Sequence, residues 1–159
     1  MIRTLKLLSW AVTALFLVSA ALGFFVGSEL APANVHIAVG LAGKLFLLLV
    51  HTLYASTLWS LAAPLHKIER EGIELLPEIA VLVPSRRALI VAPLLLMLAA
   101  IAAPAAAYMG IEEMIPRGVH GLLEFAVLGG HLYLARRAFA EALALRWVID
   151  RIESEVHVD

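Results

Sequence analysis

Cysteine is missing from this chain of 159 residues. Its absence removes disulfides, thiolate metal sites, iron–sulfur ligation and covalent c-type haem attachment from the available chemistry. Charge is scarce as well: Asp, Glu, Lys and Arg together make 16% of the sequence, with a formal net charge of -1. Such a balance gives no basis for nucleic acid or another polyanion as partner. No glycine-rich nucleotide loop and no serine or cysteine nucleophile set is present, so catalysis, if any, would belong to another subunit. Apolar residues fill the chain instead, at 62% with a mean hydropathy of +0.93, against roughly half in an ordinary soluble domain.

Four stretches approach the roughly 20 apolar residues that cross a bilayer core about 30 Å thick. They lie near residues 5–26, 35–61, 88–109 and 119–134, and predict an all-α integral membrane four-helix bundle over residues 1–135. The first stretch has Arg3 and Lys6 before it and small residues at Ser19 to Ala21, a pattern shared with signal peptides; it is read here as the first span. Residues 136–159 continue as a charged helical tail with an apolar stripe through Phe139, Leu143, Ile149, Ile152 and Val156. The connection from Pro64 to Arg87 mixes both charges and predicts a short interfacial helix interrupted by Gly72 and Pro77. Ten of the twelve basic residues fall at the N-terminus, in this connection or in the tail; the others are Arg117 and Lys44. By the positive-inside rule both termini are cytoplasmic, as in a multi-pass protein of a bacterial-type inner membrane.

Spans two and four then run in the same direction, and each carries two histidines. Fifteen steps from His36 to His51 leave the imidazoles about 60° apart, and eleven steps from His120 to His131 about 20° apart. Each pair therefore occupies one helix face. Ionisable side chains within spans are costly and usually face the bundle interior. Descending about 1.5 Å per residue, His51 lies roughly 22 Å below His36 and His131 roughly 16 Å below His120, a mismatch of one helical turn. Pairing by depth sets His36 against His120 near the outer boundary, and His51 against His131 deeper.

Imidazole is an axial ligand of haem iron, and helix bundles build cofactor sites from facing helices. The expectation is one or two b-type haems, each held by two histidines. Gly40 and Gly43 leave room for a flat group, and Arg117 and Lys44 are candidates to meet haem propionates. Lys44 has a second candidate partner in Glu124, one turn below His120. Arg86, Arg87, Arg136 and Arg137 are inner propionate candidates, and Tyr54 and Tyr133 candidates to line a quinone pocket. His66 and His157 fall in polar segments and are read as solvated.

From Lys44 to Trp59 the order Lys-x6-His-x7-Trp (Lys44, His51, Trp59) resembles a helix opening of the copper-resistance D-like family of membrane proteins. That resemblance implies a multi-helix membrane protein whose helix histidines are candidate metal or haem ligands. Two parallel helices with paired histidines also resemble b-type di-haem cytochromes, including quinone-linked anchor subunits. This second resemblance implies an electron-transfer subunit in contact with lipid, quinone and other subunits of a redox complex. Two other classes stand beside it. One is a copper or zinc permease or sensor using His36, His120, Glu112 and Glu113; the other is a structural anchor whose histidines bind nothing.

Overall fold

The computed structural model describes residues 2–25, 32–71, 86–111 and 118–156. Among these every regular element is helical: α1 (Ile2–Phe25), α2 (Ala33–Arg70), α3 (Arg86–Ile111) and α4 (Gly118–Val156). The consecutive pairs α1–α2 and α3–α4 share the broadest contacts, and α2 and α4 meet in the middle with α1 and α3 on their flanks. Two helices are long and apolar enough to cross a membrane, over Arg3–Phe25 and Ala33–Lys67; α3 contributes a shorter apolar stretch, Val91–Ala107. The segment read as an interfacial helix falls at residues 72–85, outside the described residues.

The surface is more apolar than the interior requires. Trp10, Phe24, Ile37, Leu45, Leu95, Ile101 and Leu122 are all exposed, while Ser9, Thr13, His51, Thr57 and His131 are buried. Exposed apolar residues in this number mark a surface that something apolar covers.

Helix α2 does not stop where the sequence predicts. A proline inside a helix removes one backbone hydrogen bond and crowds the preceding turn, which is why Pro64 reads as the start of a connection. The helix instead runs through Pro64 to Arg70. Ala62 and Leu65, at 0% and 1% exposure, anchor it in the same core cluster as Leu145 and Val148 of α4. That packing outweighs the lost bond. His66 lies on this continuation with its ring 5.6 Å from that of Trp59. Helix α3 likewise passes through both Pro93 and Pro104.

The stretch 119–134, expected as a fourth span, and the tail form one helix of 39 residues. This helix is not among the two that are long and apolar enough, among the described residues, to cross a membrane. Its buried stripe is Ala135, Ala138, Ala142, Leu145 and Val148, with Ile152 packed beside it, whereas Leu143 is exposed. The expected stripe, drawn through the largest apolar residues, is thus rotated from the observed one. Close helix approach selects small residues, and alanine stands out little in a hydropathy pattern.

Candidate functional site

Three polar layers cross the seam between α2 and α4. The outermost holds His36 and His120, each in the first turn of its helix. His36 Nδ1 lies 2.9 Å from the Ser19 carbonyl oxygen on α1. His120 Nδ1 lies 2.8 Å from the Ala103 carbonyl oxygen on α3. A carbonyl only accepts, so Nδ1 carries the proton in both rings and, in the neutral imidazole, Nε2 carries the lone pair. Each histidine is fastened to the helix seventeen residues earlier in the chain. The two hairpins therefore build the same contact twice. The ring centroids are 6.3 Å apart with planes at 88°. Gly23 makes room for the first ring: a Cβ there would stand 3.2 Å from His36 Cε1.

The second layer is an ion pair, Lys44 Nζ to Glu124 Oε1 at 2.6 Å, with the two side chains 17% and 20% exposed. The ammonium also stands 5.9 Å from the Phe16 ring centroid, within cation–π range. Of its two candidate partners, a propionate or Glu124, Lys44 takes Glu124.

The third layer is the innermost and the most enclosed. His51 Nε2 and His131 Nδ1 are 3.1 Å apart, and His131 Nε2 lies 3.2 Å from the Ser9 carbonyl oxygen. The rings are 3% and 0% exposed. Because the Ser9 carbonyl accepts, His131 carries its proton on Nε2; a neutral His131 then accepts at Nδ1, and His51 donates from Nε2. By the same logic the His51 lone pair is on Nδ1. Ser9 Oγ donates to the Tyr54 hydroxyl at 3.2 Å, and Thr13 Oγ1 donates to the Ser9 carbonyl at 2.9 Å. Helices α1, α2 and α4 are stapled together here.

Pairing by depth thus brings together the residues it matched, with one adjustment. Lys44–Glu124 and His51–His131 both join residues 80 apart in the chain. His36 and His120 are 84 apart, so the outer rings are stepped along the bundle by about one turn, roughly 6 Å. That step is the depth mismatch read from the sequence.

Gly40 and Gly43 do something other than expected. A Cβ on Gly40 would meet Ser19 Oγ at 3.1 Å, and one on Gly43 would meet the Phe16 ring at 3.5 Å. Both pack α2 against α1, so the space they leave is already taken. Gly130 serves the other hairpin, where a Cβ would lie 2.8 Å from Leu96 Cδ1. Arg117, Glu112, Glu113, His157 and the side chains of Arg86 and Arg87 fall outside the described residues. Sequence reasoning missed Gly23, the Ser19 and Ala103 carbonyls, and Ser9. Only Gly23, next to the small residues at Ser19 to Ala21, left a trace in the sequence.

The two histidine pairs differ in their fit to haem. Metal–imidazole bonds of about 2 Å put trans ring nitrogens about 4 Å apart. His51 and His131 bond each other directly at 3.1 Å, and both nitrogens of His131 are engaged. The inner pair therefore does not fit a bis-histidine haem. The outer pair presents the donor chemistry of one: Nδ1–H fixed by a carbonyl, as in most metal-bound histidines, and Nε2 on the far side of the ring. No group of three or more His, Cys, Asp or Glu poised for a metal ion occurs among the described residues. Comparison of the chain with protein-family models, with curated proteins and with solved structures gave no match.

Proposed function

We propose that this chain is an integral membrane electron-transfer subunit that holds a single b-type haem at the outer end of its seam, between His36 and His120. In this reading the termini are cytoplasmic, lipid covers the exposed apolar girdle, and electrons pass between a partner redox enzyme and the quinone pool. The observation that carries it is the anchoring of both outer imidazoles through Nδ1 to backbone carbonyls. Among the described residues the outer end offers two protein donors, fewer than the three or four of a structural or catalytic zinc site. They suffice where a porphyrin brings the other four, and iron so ligated has no open position, which favours one-electron relay over oxygen chemistry. The chain's own part is to fix both tautomers and ring directions and to set two helix N-termini beside the site, where anionic propionates are favoured.

The test is spectral. Protein purified from membranes should show a Soret band and a sharp reduced α-band. Both should vanish in His36→Ala and in His120→Ala while the helical circular dichroism is kept. A colourless, metal-free wild type grown with ample haem would sink the reading. One observation favours a second reading, a cofactor-free membrane anchor: the outer rings are stepped by a turn while the inner rings are closed on each other. In that case the histidines are polar ties between helices, and all four alanine variants should differ only in thermal stability.

A further inference from the structure

Below the inner pair, a cleft of about 50 Å³ opens between α2, α3 and α4. His51 and Tyr54 form its closed end, Ala55 and Ala138 its walls, and Arg137 and Glu141 its mouth. Arg137 Nε donates to Glu141 Oε1 at 2.6 Å, and the Arg137 side chain is 56% exposed. The hydrogen bonds fixed above leave the lone pair of His51 on Nδ1. The ring lines the cleft, and the residue is only 3% exposed. A histidine nitrogen at the end of a polar-mouthed cleft is an acceptor that water can reach. One water needs roughly 10–15 Å³ of such space, so the cleft takes three or four. On the opposite side, Leu47, Val50 and Val127, at 0–1% exposure, separate the pair from Lys44 and Glu124.

We propose that this cleft is a hydrated inlet from the cytoplasmic face, and that His51 and His131 at its end form a binding site for one proton with access from that face alone. A proton entering through the water reaches His51 Nδ1. The Nε2 proton of His51 then crosses to His131 Nδ1, leaving His51 neutral and His131 an imidazolium with both nitrogens protonated. It goes no further, because His131 Nε2 faces the Ser9 carbonyl, which takes no proton, and it returns by the same route. Besides the pair, the ionisable groups at the cleft are Tyr54 on α2 and Arg137 and Glu141 on α4; the nearest group on α1 is the Ser9 hydroxyl. The inference rests on the membrane reading above, but not on a haem being bound.

A chain without cysteine suits the test. Single variants Ala55→Cys and Ala138→Cys, in oriented membrane vesicles, are treated with a small membrane-impermeant methanethiosulfonate. A thiol reacts as thiolate, which forms in water and not in lipid, so both should label at least about tenfold faster than Leu53→Cys, and only from the cytoplasmic face. Asn34→Cys and Asp150→Cys report the two faces. If those two label from opposite faces while the cleft cysteines label from neither, or only from the outer one, the inlet is refuted and the membrane reading stands. If Asn34→Cys and Asp150→Cys label from one face, the membrane reading falls and the inlet with it. Should a cysteine variant misfold, wild-type protein with labelled histidines in nanodiscs gives the same answer by NMR. Magnetisation should pass from water to the His51 ring and disappear in Ala138→Leu; a His51 ring without exchange to water overturns the proposal.

Discussion

The outer and inner histidine pairs use the same residue type on the same two helices and arrive at opposite arrangements. The outer rings turn outward to carbonyls of α1 and α3, and the His36 ring lies against Gly23 of α1. The inner rings turn toward each other, and both nitrogens of His131 are engaged within the bundle. The difference lies in what surrounds them. Near the rim a carbonyl of the preceding helix is within reach and Gly23 gives the ring room; deeper, Ser9 offers a single carbonyl, to one histidine of the two. Histidine on a membrane helix face is thus a ligand candidate only when a neighbour fixes Nδ1 and nothing takes Nε2.

Four experiments break or sharpen this contrast. The largest effect expected is all-or-none: His36→Ala and His120→Ala lose haem absorbance, whereas His51→Ala keeps it. Loss of the spectrum in the inner variant alone would reverse the assignment. Next is Glu124→Ala, which strands the Lys44 ammonium in an apolar seam; breaking a buried ion pair costs about 3–5 kcal/mol, here toward the lower end because both groups keep some exposure. Thermal unfolding in detergent should show most of that loss recovered in Lys44→Met/Glu124→Leu, and a further drop in the double variant would count against the pair as a structural tie.

Third comes the inner staple. His131→Ala removes two hydrogen bonds and leaves a cavity, for roughly 2–3 kcal/mol. His51→Ala removes one, for about 1 kcal/mol, the range typical of interhelical bonds in membranes. Equal losses in chemical denaturation would contradict the shared role given to His131. Smallest is the glycine pair. Gly23→Ala should shift the α-band or the midpoint potential, because His36 must yield by a few tenths of an ångström. Gly43→Ala, whose Cβ would sit at ordinary contact distance from Phe16, should leave both unchanged and alter stability by under about 1 kcal/mol.

The all-helical fold was legible because long, nearly uncharged apolar runs read as helices. Among the described residues two of the four expected spans, over Arg3–Phe25 and Ala33–Lys67, are long and apolar enough to cross a membrane. The register of α2 against α4 was legible too, since two histidines and one opposite-charge pair act as depth marks: Lys44–Glu124 and His51–His131 meet as matched. What sequence patterns hide is direction around the helix when most faces are apolar. Gly40 and Gly43 looked like room for a cofactor, yet they are room for α1, because hydropathy does not separate a face toward lipid, toward a neighbour or toward a gap. Pro64 misled for a related reason. The rule that proline ends helices weighs one lost bond, and the burial of Ala62 and Leu65 on either side of it is a tertiary fact. Of Lys44, His51 and Trp59, the first goes to an ion pair, the second to a histidine, and the third lies with its ring tilted beside His66.

The unbroken run of α4 gives the molecule a mechanical property. At 39 residues it is a rod of about 58 Å, with His120 near one tip and the charged tail at the other. A lever of that length, seated along a buried stripe from Val127 to Val148, shifts as a unit. A displacement of the tail is therefore carried along the helix toward His120 at its other end.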